Sequence, residues 1–294
     1  MNPDLSVIIV SYNTRDLLRG CLQTVFASHL PGGFEVIVVD NCSSDGSADM
    51  VAAEFPEAIL IRSQHNGGFA FGNNQGLRVA RGRYVLLLNP DTAVPPDAFA
   101  ILVRFMDEHP EAGVCGPRLV RADGSLDLAC RRSFPTPEVS FYRLIGLSKL
   151  FPQSPRFARY NLTYLDEYQL AEVDSVVGAC MMVRRQAIEQ TGLLDEEFFM
   201  YGEDLDWAYR IKSKGWKVFY NPATTVLHYK REAARQQPAK TITEFYRAML
   251  IFHRKHYAPH TFFMLNWIIV AGIYLRGGLA LMINRLRPRE ESMA

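Results

Sequence analysis

Apolar and polar positions fall in alternating blocks along the first third of the chain. Leu5–Val10 is a β-branched apolar run, and residues 15–28 follow with helical spacing, Leu17, Leu18, Leu22 and Val25 sharing one stripe. Phe34–Val39, Ala58–Ile61 and Tyr84–Leu88 repeat the strand pattern, while Ser47–Phe55 and Phe71–Ala80 repeat the helical one. Strands alternating with helices predict a mostly parallel sheet with helical crossovers, an α/β sandwich. Two of the strands stop abruptly at polar groups, Asp40-Asn41 and Asn89-Pro90-Asp91. In open α/β sheets, ligands bind at the carboxyl ends of the strands. Both clusters are therefore expected on one functional edge.

The pattern weakens over residues 121–172, which hold Pro135, Pro137, Pro152 and Pro155 among aromatics and arginines. A long irregular excursion of this kind is expected to cover a site or to hold a second substrate. Order returns with Val173–Val177 and the apolar run Gly178–Val183. Glu203-Asp204-Leu205-Asp206 then opens a helical pattern, and Trp216–Tyr220 and Thr224–Leu227 read as short strands, the second ending at His228.

The C-terminal part differs in kind. Phe262–Ile283 is 22 residues interrupted only by Asn266 and Arg276. As a helix it would extend about 33 Å, close to the thickness of a bilayer core. Arg276 inside it would cost about 3 kcal/mol near the bilayer centre. Basic residues flank it on both sides, Arg254, Lys255 and His256 before and Arg285, Arg287 and Arg289 after. Two basic flanks favour a helix lying in the membrane interface and attracted to anionic lipid. A spanning helix, ordinary packing and a homo-oligomer contact stay open.

The chain has 294 residues, 48% of them hydrophobic, enough for one large domain or two smaller ones. Its 32 Lys and Arg nearly cancel 31 Asp and Glu, which argues against a nucleic-acid partner. Cys21, Cys42, Cys115, Cys130 and Cys180 show no C-x-x-C spacing, so buried reduced thiols in a reducing compartment are expected. The opening Met-Asn-Pro-Asp-Leu-Ser has neither a basic region nor a cleavage site, and no signal peptide is expected.

Chemistry enters at the strand ends. The turn Ser11-Tyr12-Asn13-Thr14 carries neither a dinucleotide-binding nor a P-loop glycine pattern. Its aromatic and amide groups suit a nucleobase, or simply a polar turn with Thr14 capping the next helix. Asp40 can accept the imide N–H of uracil or thymine, or satisfy its own turn. Asn66-Gly67-Gly68 and the stretch through Asn74 bracket a helix start, a setting that suits phosphate as well as a flexible loop. Asp91 with a diphosphate is a reasonable site for Mg²⁺ or Mn²⁺, which prefer carboxylate oxygen and keep substrate phosphates as further ligands. Glu203 and Asp204 can serve the helix dipole or act as a general base. His228 can ligate metal or phosphate, or be structural.

Taken in order, V-S-Y-N (10–13), V-V-D-N (38–41), N-G-G-F (66–69), L-L-L-N-P-D (86–91), G-A-C-M-M-V-R-R (178–185) and G-E-D-L-D-W (202–207) resemble the inverting family 2 glycosyltransferases. The resemblance covers about residues 5–230 and is closest to bacterial rhamnosyltransferases acting on polyprenyl-diphosphate-linked N-acetylglucosamine. It implies a GT-A fold over 1–230, with a nucleotide-sugar half (1–118) and an acceptor half (119–230), then a helical, membrane-associating extension (231–294). It implies that Ser11, Tyr12, Asn13 and Asp40 serve the nucleotide, with Asn66, Gly67 and Asn74 on the donor side. Asn89 stands where the family usually has an aspartate near the ribose, and Asp91 matches the metal-binding aspartate. Asp204 matches the catalytic base, with Glu203 as alternative. Gly178, Ala179 and Trp207 fall to the acceptor, and His228 to the metal or diphosphate. The implied reaction is a single displacement with inversion, with dTDP-L-rhamnose the favoured donor. The acceptor would be a glycan or a polyprenyl-diphosphate-linked sugar, and the enzyme would sit peripherally on the cytoplasmic face of the plasma membrane. A UDP-sugar transferase, or a catalytically silent nucleotide-sugar-binding protein, are the alternatives.

Overall fold

The computed structural model describes residues 2–229 and 238–286. The N-terminal half runs β1 (Leu5–Ser11), α1 (Arg15–Phe26), β2 (Phe34–Asp40), α2 (Ser47–Glu54), β3 (Ile59–Arg62), α3 (Gly68–Val79), β4 (Tyr84–Leu88), β5 (Thr92–Ala93), α4 (Ala98–Glu108) and β6 (Ala112–Val120). The second half adds α5 (Pro137–Leu144), α6 (Leu147–Leu150), β7 (Ala171–Val173), β8 (Cys180–Arg184), α7 (Arg185–Thr191), α8 (Glu203–Ser213) and β9 (Lys217–His228). Two long helices follow, a buttress helix Pro238–His256 and an apolar helix Phe263–Leu286.

The predicted alternation holds through Leu88. α3 starts at Gly68, three residues before the apolar spacing suggests, and the two strands expected over 216–227 are one continuous β9. Among the described residues the strands form one sheet in the order β3-β2-β1-β4-β8-β6-β9-β5, with β7 pairing β9. The pairs β1–β2, β1–β4, β2–β3 and β6–β9 are parallel, as expected of crossovers. β8 enters antiparallel between β4 and β6, so the sheet is mixed where its two halves join.

β1 and β4 are buried at every position, which is why they read as unbroken apolar runs. α3 lies close on this central pair. A Cβ at Gly72 or Gly76 would come within 2.6 Å of Val10 or Ile8, so these glycines serve helix–strand contact. A smaller cluster, Phe198, Leu205, Ala248, Ile251 and Phe252, joins α8 to the buttress helix. Beside it the wholly buried Asp206 meets Arg210, Lys255 and His256 at 2.7–2.8 Å. Burial alone would raise the Asp206 pKa; His256, Lys255 and Arg210 overcome it and bring it down to about 2.

The apolar helix buries only Ile273 and Gly277 fully, against the buttress helix. Arg276 does not stand alone on it, since its Nη1 donates to the Leu144 carbonyl at 3.2 Å. Arg287 and Arg289, counted among the basic flanks, lie outside the described residues. Four cysteines are buried free thiols, as expected, but Cys42 is exposed because it sits in the turn that leaves β2 at the sheet edge.

Candidate active site

Strand register brings the candidate residues together. Ser11 pairs with Asp40 across β1–β2, and Ile9 with Leu88 across β1–β4. The three parallel strands therefore release Tyr12, Asn41 and Asn89 along one edge. β8 runs the other way and pairs Cys180 with Leu88, which sets Ala179 beside Asn89. The Asn89 N–H donates to the Ala179 carbonyl at 2.9 Å.

The next peptide carries the link to the second half. Gly178 N–H donates to Asp204 Oδ2 at 2.9 Å, and Arg132 Nη2 donates to the same oxygen at 2.7 Å. Gly178 leaves room for this approach: a Cβ there would lie 3.2 Å from Phe69 and 3.7 Å from Asp204. The end of β4 and the candidate base thus flank one dipeptide, Gly178-Ala179. The pair Arg132–Asp204 is buried on both sides. Burial would lower the Arg132 pKa, but the neighbouring Asp204 charge raises it above its ordinary value. Glu203 is also buried, and its Oε2 has no hydrogen-bond partner. Burial first, and the Asp204 charge second, push the pKa of its carboxyl upward, toward the neutral form. Asp204 is the carboxylate that bonds Gly178 directly, which makes it the candidate base.

At the end of β2, Asp40 Oδ2 accepts from Ser43 N–H at 3.0 Å, while its Oδ1 is buried without a partner. An orphaned acceptor of this kind is costly unless a ligand donor completes it. Asn13, at φ 52°, accepts from Ser44 N–H at 2.8 Å and fixes the β1 turn to the β2 turn. Tyr12 beside it stays partly exposed at the same edge.

At the far side, β5 pairs Thr92 with His228 of β9, and Tyr229 N–H donates to the Asp91 carbonyl. His228 Nε2 lies 3.4 Å from Asp91 Oδ1, and its Nδ1 lies 3.0 Å from Asp127 Oδ2. Burial would lower the His228 pKa; the two carboxylates more than reverse this and push it up to about 9. Among the described residues no group of three or more His, Cys, Asp or Glu side chains is gathered as a metal cage. What the fold offers is a pair, Asp91 and His228 Nε2, with Asp127 orienting the ring through the other nitrogen. That arrangement matches the carboxylate–histidine support common beneath metal ligands. Nε2 would take a divalent cation only in place of its proton, with the remaining ligands from a diphosphate and water.

Several expected residues do other work. Ser11 is wholly buried, its hydroxyl 3.0 Å from that of Thr14. The amides expected to cradle phosphate are taken internally: Gly67 N–H by Asn41, Gly68 N–H by Asn66, and Phe69 N–H by the Phe199 carbonyl. Gly68, at φ 90°, could not carry a Cβ without meeting that carbonyl at 2.2 Å. Asn66 and Gly67 therefore tie β2 to α3. Asn74 is engaged by Leu194 and Glu196 and pins α3 to the second half. Trp207, expected on the acceptor side, is wholly buried with its indole N–H donated to the Gly192 carbonyl, so it belongs to the core. Arg132 and Asp127 are the residues that sequence patterning misses. Arg132 stands in an arginine pair ahead of a proline-rich stretch, a faint signal, and Asp127 has none.

Known proteins share this fold and family pattern. The description "Glycosyl transferase family 2" matches residues 6–192. The chain is 25% identical to the N-acetylglucosaminyl-diphospho-decaprenol L-rhamnosyltransferase of Mycobacterium tuberculosis, over 100% of this chain and 98% of that protein. It is 29% identical to the low-salt glycan biosynthesis hexosyltransferase Agl10 of Haloferax volcanii, over 78% of this chain and 68% of the relative. Among solved structures it is similar to the mannosyltransferase PcManGT from Pyrobaculum calidifontis in complex with GDP-Man and Mn²⁺, with a TM-score of 0.59 and 19% identity, covering 96% of this chain and 72% of that one. A second fold likeness is to S. aureus TarS residues 1–349, at TM-score 0.56 and 16% identity, covering 94% and 81%. The chain belongs to glycosyl transferase family 2 and has the GT-A fold.

Proposed function

We propose that this glycosyltransferase moves L-rhamnose from dTDP-L-rhamnose to a hydroxyl of a glycan or polyprenyl-diphosphate-linked sugar, with inversion at the anomeric carbon. The reading rests on one observation above the others: Asp204 meets Gly178 while Ala179 meets Asn89, so a base and a donor-strand end share one dipeptide. Full-length similarity to a rhamnosyltransferase supports the choice of sugar. Asp40 Oδ1 would accept the imide N–H of thymine, with Tyr12 and Asn13 beside it and Asn89 near the ribose. Asp204 would take the proton of the acceptor hydroxyl as its oxygen forms the new bond to the anomeric carbon. The bond from that carbon to the diphosphate oxygen breaks in the same displacement. Asp91 and His228 would hold a divalent cation, Mg²⁺ or Mn²⁺, whose charge offsets that of the diphosphate. Glu203, buried and pushed toward its neutral form, would spare the base a full second negative charge.

On this reading residues 1–118 serve the nucleotide sugar and 119–230 the acceptor, with Gly178 and Ala179 at their seam. Residues 231–294 would bring the enzyme to the cytoplasmic membrane face, where a lipid-linked acceptor resides. The deciding experiment is nucleotide release from dTDP-L-rhamnose and from UDP-sugars, with polyprenyl-diphosphate-linked N-acetylglucosamine as acceptor. Release from a UDP-sugar alone would replace the donor; release from neither would favour a silent nucleotide-sugar-binding protein.

Two binding measurements bear on the same site. Asp40→Ala should weaken dTDP binding on the order of 10- to 100-fold, the worth of one hydrogen bond to a charged acceptor. Unchanged affinity by titration calorimetry would remove Asp40 from the base pocket. Asp91→Ala should abolish the difference between donor titrations with and without Mn²⁺. A preserved metal effect would place the cation elsewhere.

A further inference from the structure

The α5–α6 hairpin and the apolar helix lie far apart in sequence and adjacent in the fold. The bond from Arg276 to the Leu144 carbonyl joins the middle of the helix to the last turn of α5, where carbonyls lack helical partners. Both elements expose large apolar side chains. On the helix Trp267, Ile268 and Leu275 are 67–73% exposed, and on the hairpin Ile145 and Leu150 are 52% and 70% exposed. Apolar surface of this extent marks a protein or a membrane interface.

Charge decides between those two. From the start of α5 to residue 165 there are four Lys and Arg to one acid, Glu138, which pairs with Arg156 at 3.8 Å, and 238–286 carry six to one, Glu244, which pairs with Arg247 at 3.6 Å, in a chain whose totals are 32 and 31. Arg143 and Lys149 on the hairpin and Arg276 and Arg285 on the helix are all exposed. A second copy of this face would set cation against cation. Anionic headgroups complement those cations, and acyl chains receive the apolar side chains.

We infer that α5–α6 is a second membrane-inserting element, and that it and the apolar helix seat the enzyme on anionic lipid as one surface. This deepens the membrane association proposed above and rests on it. Pro137, which opens α5, follows Arg132 by five residues. The hairpin thus continues directly from the segment that pairs with Asp204.

The test uses the full chain, without donor or acceptor, so that its outcome is independent of any transfer activity. Vesicles of phosphatidylcholine alone are compared with equal parts phosphatidylcholine and phosphatidylglycerol in sedimentation. Wild type should bind the mixed vesicles preferentially. A variant with Leu144→Ser, Ile145→Ser and Leu150→Ser should lose about tenfold or more in partitioning, since affinity scales with apolar area inserted. Arg143→Glu with Lys149→Glu should lose the preference for anionic vesicles. Independently of any variant's folding, hydrogen exchange over 141–151 in wild type should slow when mixed vesicles are added. Wild-type partitioning of the serine variant, or unaltered exchange over 141–151, would overturn the inference. So would a wild-type dimer in lipid-free buffer that the serine variant turns into monomer.

Discussion

Exchange of Asp204 for asparagine is expected to lower turnover about 10²–10⁴-fold, the usual contribution of a general base, with donor affinity retained. Asparagine has the same size and can turn its amide oxygen toward Gly178 N–H and Arg132, two of the three donors that hold the carboxylate, while its amide NH2 then faces the third, Leu205 N–H. It cannot accept the acceptor's proton. The donor contacts proposed at Asp40 and Asp91 come from other strands and do not pass through this side chain. The substitution also leaves Arg132 buried without its counter-charge, so thermal stability should drop alongside turnover. The informative measurement is therefore kcat beside donor titration and the melting temperature. Turnover near that of wild type sinks the assignment of the base. Equal losses in donor binding and turnover would show that Asp204 shapes the donor site instead.

The second large effect is on stability. Arg132→Met should cost about 3–5 kcal/mol, because breaking a buried ion pair strands its partner. Here the stranded group is Asp204, with the buried Glu203 next to it. Two neighbouring carboxyls would then share a buried corner without a cation. The loss should appear as a lower urea midpoint. Arg132→Lys returns a charge but not the planar fork, and so should recover only part of it. Arg132 also donates to the Val176 carbonyl, which a shorter reach would forfeit. A methionine variant that unfolds at the wild-type midpoint would mean that the pair contributes nothing to holding the two halves together.

How far the sequence carries can be traced residue by residue. Strands buried at every position announce themselves as apolar runs, and their polar ends mark the sheet edge. Asp40, Asn89 and Asp91 are legible for that reason. Pairings across long sequence separations are not. Arg132 and Asp204 stand 72 positions apart, and Asp127 and His228 101 apart, so only the completed sheet defines them. Polar residues at a helix start read alike whether they bind a ligand or pin a loop. Asn66, Gly67 and Asn74 belong to the second kind because Phe199, Leu194 and the end of β2 arrive from elsewhere to claim them. Trp207 fails for a related reason. Its place among the acids that open α8 suggests a site, but the Gly192 carbonyl arrives from elsewhere to take its indole N–H. The apolar helix is long enough to cross a membrane by length and composition, yet Arg276 already has a partner at its middle.

The antiparallel entry of β8 bears on how the chain is made. β4 is a long-buried, fully apolar strand in the finished sheet, flanked by β1 and β8. During synthesis β1 is available at once, but β8 emerges about 100 residues after β4, on the order of 5–20 s later at ~5–20 residues per second. For that interval one edge of β4 offers unpaired backbone and leucine side chains to any neighbouring chain. A nascent chain halted before residue 180 should be captured by holdase chaperones or aggregate, whereas one that has released β8 should not. Translation speed through the proline-rich excursion thereby becomes a determinant of how much soluble enzyme a cell obtains.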